Sequence, residues 1–259
     1  MILAAGMTSF SAVHVSLVTG SSTGIGAATA LALAGRGSTV AVHYNNSEAA
    51  AAAIVDGIRN AGGQAAAFQA DLSCASSAGT LVDRVLKQFG RIDVLVNNAG
   101  SLVGRRTLLE ITDEFWQQVM DTNLGSVFRM TRAVAPQMME RKSGTIVNVA
   151  SVAARNGGSP GVMPYAAAKA AVVCMTKSLA KELIAYGVRV NAVNPGIIQT
   201  PIHDKFTPPA RMKSLLQTVP QGRAGTSGEV ATLISFLAGE ESSYIVGESI
   251  EINGGMWME

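Results

Sequence analysis

The stretch that decides the fold reads Val15-Ser16-Leu17-Val18-Thr19-Gly20-Ser21-Ser22-Thr23-Gly24-Ile25-Gly26-Ala27-Ala28-Thr29-Ala30. A short apolar run passes through three glycines into an alanine-rich segment of helical composition. Glycine permits a sharp turn and a close backbone approach. The helix that follows presents free N–H donors and the positive end of its dipole, which together suit a phosphate. A strand, a glycine turn and a helix at the first βα junction form the setting of a dinucleotide site.

Working outward, the same alternation continues. Short β-branched or apolar runs predict strands over 13–18, 39–44, 64–69, 93–96, 145–149, 188–193 and 249–252. Ala-rich or 3.6-periodic segments predict helices over 26–34, 47–61, 75–89, 113–141, 165–185 and 228–237. Strands that are apolar throughout are covered by helices on both faces. The alternation therefore predicts one α/β domain over 1–259, with a doubly wound, seven-stranded parallel sheet flanked by helices. The long irregular stretch is 199–225, with Pro201, Pro208, Pro209 and Pro220; it reads as a substrate lid or an ordinary surface excursion.

Charged residues make up 15% of the chain, below the roughly 25% usual for soluble domains, while hydrophobic residues make up 48%. That balance suits a large core or an apolar oligomer interface. A net charge of +2 without a Lys/Arg block excludes a nucleic-acid footprint. Cys74 and Cys174 have no partner spacing, so neither a disulfide framework nor a metal site is expected, and a reducing cytoplasm fits. The apolar segment 1–6 is too short for a signal peptide, and no apolar run reaches membrane-spanning length. A cytoplasmic protein without membrane attachment is the expectation.

The glycine spacing resembles the T-G-x-x-x-G-I-G signature of the short-chain dehydrogenase/reductase family, and further family motifs follow in order. These are Asn97-Asn98-Ala99-Gly100, Ser151 after Val147-Asn148-Val149-Ala150, Tyr165-Ala166-Ala167-Ala168-Lys169, and Asn194-Pro195-Gly196 with Thr200 beyond. The resemblance runs from about Ser16 to Gly255 and implies a Rossmann-type fold. It implies cofactor contacts at Gly20, Ser22, Thr23, Gly24, Ile25 and Gly26, at Tyr44, Asn45, Asn46 and Ser47, and at Asp71 and Leu72. It extends them to Asn98, Ala99, Gly100, Tyr165, Lys169, Pro195, Gly196, Ile198 and Thr200. Asp71 resembles the residue that contacts the adenine amino group, and it also reads as the N-cap of the helix after it.

An acid at the end of the second strand would bind the ribose 2′-hydroxyl and repel a 2′-phosphate. Here 42–47 carries no carboxylate, and Asn45, Asn46 and Ser47 can donate to phosphate oxygens; Ser47 can also cap the next helix. Where many NADP-preferring relatives carry Arg in the glycine turn, this chain has Thr23. NADP(H) is the favoured cofactor and NAD(H) stays open.

Hydride transfer to a carbonyl builds charge on oxygen, which a proton donor must meet. Tyrosine is a poor acid–base near neutrality, with a reference pKa of about 10, and a nearby ammonium lowers it. The i,i+4 spacing puts Tyr165 and Lys169 on one helix face. The resemblance implies that Tyr165 is the acid or base, that Lys169 lowers its pKa and holds the nicotinamide ribose, and that Ser151 bonds the substrate oxygen. Asn123 resembles a helix residue that holds a relay water; it also reads as a buried polar residue at a kink. The segment from Ser151 to Tyr165 is about one residue longer than in many relatives, which makes Ser159 a competitor for the hydroxyl role.

The nearest resemblance within the family is to 3-oxoacyl-acyl-carrier-protein reductases and related sugar or small-alcohol dehydrogenases. Acyl-carrier reductases place basic residues near the active-site mouth to engage an acidic carrier. Arg141 and Lys142 stand at one such place, and Tyr186 replaces a base at the other. A non-catalytic dinucleotide sensor is a distant alternative, at odds with the retained Tyr165 and Lys169. Relatives form homotetramers by pairing their long helices, with the C-terminal segment around Trp257 at another axis. His203 and Met212 in the lid are candidates for substrate contact; His14, His43, Cys174, Met138 and Met139 read as structural.

Overall fold

The computed structural model describes residues 8–10, 14–200 and 208–258. Its seven strands are β1 (Val15–Val18), β2 (Thr39–Tyr44), β3 (Ala65–Gln69), β4 (Val94–Asn97), β5 (Gly144–Val149), β6 (Val188–Pro195) and β7 (Ser249–Ile252). They form one sheet in the order β3-β2-β1-β4-β5-β6-β7, every pair parallel. The chain reverses direction of travel between β1 and β4, the switch point where a crevice opens at the carboxyl ends of the strands.

Both sheet faces are apolar, which explains the unbroken apolar runs. Leu17, Ala41, Leu95 and Ile146 belong to one buried cluster, and their sequence neighbours Val18, Val42, Val96 and Val147 to the other. The first cluster is closed by α3 (Ser77–Phe89), α5 (Ser126–Arg141) and α7 (Met163–Leu183) through Val85, Met138 and Leu183. The second is closed by α1 (Gly24–Gly35), α2 (Glu48–Asn60) and α9 (Ser227–Ala238) through Leu33, Val55 and Ile234. A capping box between Thr226 and Glu229 starts α9.

Three departures from the sequence reading matter for the site. The helix expected over 113–141 is α4 (Asp113–Met120), a π-helical turn (Asp121–Gly125) and α5. The segment after Ser151 carries a short helix, α6 (Ala153–Asn156). The stretch expected to be irregular contains α8 (Pro209–Leu216), which starts at Pro208-Pro209 because proline suits the first helical position.

Smaller corrections follow from helix starts. α3 begins at Ser77, too far on for Asp71 to cap it. Ser47 holds the N-cap position of α2, but its hydroxyl makes no capping bond. Cys174, read as core, lies exposed on α7, whereas Met138 is fully buried. Among the described residues no helix is long and apolar enough to cross a membrane, and no group of His, Cys, Asp and Glu could hold a metal ion.

Candidate active site

The glycine turn is bolted to the end of β4. The Thr19 hydroxyl accepts the N–H groups of Asn98 (2.9 Å) and Ala99 (3.0 Å), and Asn98 Nδ2 donates to the carbonyls of Thr19 and Gly20 at 2.9 Å each. Gly20 and Gly24 adopt left-handed backbone, φ +61° and +57°, a region that glycine enters without penalty. Gly26 is required for another reason: a methyl there would collide with the Gly20 carbonyl and lie 2.5 Å from Asn98 Nδ2.

A polar cavity of about 600 Å³ runs along this turn and the N-terminus of α1. It brings together Gly20, Ser22, Thr23, Gly24, Ile25, Asn45, Asn46, Ser47, Asp71, Leu72, Asn98, Ala99, Gly100 and Thr200, all anticipated from sequence. It also takes in His43, Ser73, Ser101 and Val103, which were not. Gly26 and Tyr44 are not on its wall; the Tyr44 ring packs against the core of α1 and α2 instead. His43 and Tyr44 are consecutive on a strand, so they point to opposite faces. Among the described residues, Asp71 is the one carboxylate on the wall. It accepts both the hydroxyl (2.6 Å) and the N–H (2.9 Å) of Ser73, which hold it below the ordinary carboxylate value. Glycines with positive φ, helix N–H donors and a row of short polar side chains fit the pyrophosphate and ribose of a dinucleotide.

A second cavity, of about 450 Å³, shares Ile25, Asn98, Gly100 and Thr200 with the first. Ser151 from the end of β5, Tyr165 and Lys169 from α7, and Pro195, Gly196 and Ile198 after β6 meet here. Ser151 hydrogen-bonds to the Tyr165 phenol, and its Oγ accepts the Ala153 N–H (3.1 Å) that opens α6. Lys169 is 3% exposed; its Nζ donates to the Val149 carbonyl at 2.8 Å and sits 5.7 Å from the centre of the Tyr165 ring. Burial pushes the Lys169 ammonium down to about 8. Burial also pushes the Tyr165 phenol above its ordinary value, outweighing the Ser151 hydrogen bond. The lowering of Tyr165 expected from Lys169 is therefore not what this geometry gives, because the ammonium lies over the ring face rather than at the oxygen.

Asn123 stands behind this group, fully buried on the π-turn. Its Oδ1 accepts the Ser101 N–H (3.0 Å), and its Nδ2 donates to the carbonyls of Ser101 (2.8 Å) and Val119 (2.9 Å). A methyl on Gly100 would lie 2.8 Å from Asn123 Oδ1 and 3.3 Å from Lys169 Nζ, so these two side chains flank one point of the backbone.

The rest of the second cavity is largely apolar, with Leu102, Val152, Val162, Ile197, Leu215 and Met256 on its wall. Arg105 and Ser159 add polar groups, but the Ser159 hydroxyl accepts Arg105 Nη1 at 3.0 Å, whereas Ser151 bonds Tyr165 directly. Met212 is not on this wall and packs with Val219 and Ala224; α8 reaches the wall through Leu215. His203 lies outside the described residues. Arg141 bonds Gln137, the Ile92 carbonyl and Asp93, and Lys142 and Tyr186 precede β5 and β6. All three therefore stand at the strand-start edge of the sheet, opposite Ser151 within one chain.

Comparison with known proteins agrees with this geometry. A family model described as enoyl-(acyl carrier protein) reductase matches residues 20–257. The chain is 47% identical to a 3-oxoacyl-[acyl-carrier-protein] reductase of Synechocystis sp., over 97% of this chain and 100% of that protein. It is 41% identical to the protein of that name from Thermotoga maritima, over 93% and 97% of the two chains. Among solved structures, an NADH-dependent reductase responsible for alginate metabolism superposes with a TM-score of 0.87 at 34% identity, covering 95% of this chain and 98% of the other. A dehydrogenase/reductase from Sinorhizobium meliloti gives a TM-score of 0.89 at 32% identity, covering 96% of each.

Proposed function

Since the chain belongs to the short-chain dehydrogenase/reductase family and is an oxidoreductase acting on CH–OH with a nicotinamide dinucleotide, we propose that it reduces a 3-oxoacyl thioester with NADP(H). The observation that carries this reading is the meeting of two cavities. A polar one of dinucleotide character opens into an apolar one that holds Ser151, Tyr165 and Lys169. The preference for NADP(H) rests on Asn45, Asn46 and Ser47, exposed at the exit of β2 where an acid would select against the 2′-phosphate.

When bound, the nicotinamide supplies or accepts the hydride. Tyr165 gives its phenolic proton to the substrate oxygen in reduction and takes it back in oxidation. Ser151 donates to the same oxygen and holds it beside the phenol. A phenol raised by burial is protonated at neutral pH, as a proton donor must be. Lys169, whose ammonium lies over the Tyr165 ring rather than at its oxygen, would hold the ribose of the bound dinucleotide. Asn123, satisfied by Ser101 and Val119, fixes the backbone behind Gly100 and Lys169 and takes part in relaying the proton.

The apolar wall suits an acyl chain, and the segment 199–225 acts as a lid over it, supported by Leu215 and Thr218 on the wall. Acyl carrier protein is the proposed thioester carrier, on the strength of the relatives' names. A homotetramer is supported by two exposed apolar surfaces, Phe128 on α5 and Tyr244 with Met258 beside β7. A second reading, reduction of a sugar or other small carbonyl with NAD(H) or NADP(H), is favoured by Tyr186 standing in place of a basic residue.

The test is turnover with NADPH and NADH on 3-oxoacyl thioesters, simple ketones and sugars. Thioester reduction with NADPH in clear excess over NADH is the expected result; preference for a sugar or for NADH selects the second reading. Tyr165→Phe should keep dinucleotide binding and lower kcat by about a thousandfold or more, in line with loss of a general acid and its hydrogen bond. Near-wild-type turnover of that variant would remove the proton-donor assignment.

A further inference from the structure

His43 is 2% exposed, yet its ring forms part of the polar cavity wall. Its Nδ1 lies 2.9 Å from the Gly20 backbone nitrogen, and its Nε2 lies 3.0 Å from the Ala70 carbonyl. A backbone N–H can only donate and a carbonyl can only accept. The ring is therefore neutral, with its proton on Nε2, a tautomer dictated by both partners at once.

The backbone repeats the connection. Ser21 N–H donates to the His43 carbonyl at 2.9 Å, and the His43 N–H donates to Ser21 Oγ at 3.0 Å. Ala70 N–H is in turn held by the Tyr44 carbonyl at 3.0 Å. One imidazole thus joins the glycine turn, the exit of β2 and the exit of β3, three of the places that line the polar cavity.

We propose that His43 is a positioning residue for the dinucleotide, its neutral imidazole holding Gly20 in the left-handed conformation that aims the turn at the pyrophosphate. The proposal rests on reading this cavity as the dinucleotide site. Gly20 needs an anchor on this side because the other contacts to the turn, from Asn98, grip its carbonyls and leave its N–H to His43. The charged group facing the ring is Asp71 at the exit of β3, which favours protonation; on β2 the other titratable side chain is Tyr44, and 15–35 and 65–69 carry none. Burial outweighs Asp71 and holds the imidazole down to about 4, so the clamp is in its accepting form at neutral pH.

The test combines binding, kinetics and a spectrum on the full chain. Fluorescence titration with NADPH should show His43→Ala weakening Kd by about tenfold, the loss of one buried hydrogen bond. The loss should fall on the KM for NADPH, with kcat within about threefold of wild type. His43→Gln, which can accept from Gly20 and donate to Ala70, should restore most of the affinity. In wild type, long-range 1H–15N spectra should show an Nε2-protonated ring at pH 7 that stays neutral to pH 5. The proposal is overturned by a folded His43→Ala variant whose NADPH Kd is within about twofold of wild type. An Nδ1-protonated or charged ring at pH 7 also overturns it, and that spectrum decides the matter if His43→Ala does not fold. Wild-type protein that binds no dinucleotide would instead remove the functional reading beneath it.

Discussion

Lys169 is a cation kept out of water. Free lysine titrates near 10.4, and burial takes this one to about 8. The folded pKa lies below the unfolded one, so folding is penalised wherever the buried lysine must carry its charge. The penalty, of order 3 kcal/mol, is fully present below about pH 8 and fades as pH rises towards about 10.4. Replacing the ammonium should therefore relieve the fold while removing function. Lys169→Met is expected to raise Tm at pH 7 by about 5 °C, after allowing for the lost bond to Val149, and to abolish turnover. Thermal melts and NADPH oxidation check both halves, and an unchanged or lower Tm would mean that the charge is better compensated than its burial implies. Tyr165, Lys169, Ser151 and Asn123 were legible because each sits in a spaced motif. His43 was not, since nothing in a six-residue strand marks which face meets a turn twenty residues earlier. Tyr44, expected at the cofactor, packs on the core side while His43 meets the cavity, because in a strand one position is the other face.

At the scale of elements, the strands over 39–44 and 249–252 fall where the sequence predicts them, because β-branched and apolar residues there are bounded by turn formers. The kink read at Asn123 is a π-turn, whose form the sequence hides because one extra residue in a helix leaves the hydrophobic period nearly intact. The helix α8 was hidden by Pro208 and Pro209, whose effect depends on whether a helix starts or stops there. The turn between β1 and α1 offers a sharper test, since its packing leaves no room for a side chain at Gly26. Gly26→Ala is expected to cost about 2–3 kcal/mol, as overpacking against backbone does, and to weaken dinucleotide binding by about tenfold or more. Denaturant unfolding and NADPH titration measure the two effects; a variant that binds normally would show that the turn can yield without losing its aim.

For the molecule as a whole, one buried and one half-buried imidazole govern behaviour in acid. His14 and His43 are both held down to about 4, in each case chiefly by burial. Unfolded histidine titrates near 6.5, so below that pH the unfolded chain takes up protons that the folded chain refuses. Stability is complete above about pH 6.5 and falls as pH drops towards 4, by about 1.4 kcal/mol per pH unit for each histidine. Glu229 and Glu241, held at about 2, add their losses only at lower pH, and Glu229 adds little because it is exposed. Urea unfolding at pH 7 and 5.5 should therefore differ by about 2 kcal/mol, most of it from His43 because His14 is partly exposed, with little change between pH 7 and 8. A flat profile from 7 to 5.5 would mean that these rings admit water or protons more readily than their burial suggests. That the fold class and the seven parallel strands could be read from sequence reflects their apolar runs, whereas the titration of buried groups depends on neighbours far along the chain.

The strand order has one more consequence. The polar cavity takes its wall from the turns after β1, β2 and β3 as well as from β4, and the apolar cavity, Ile25 apart, takes its wall from β4 onwards, with Thr19 and Asn98 as the bolts between. Inheritance can therefore act on the two halves separately. On the reading proposed above, substitutions at Asn45 and Ser47 would alter the choice of dinucleotide, and substitutions at Leu215 and Met256 the choice of substrate, without disturbing the seam where the two cavities join.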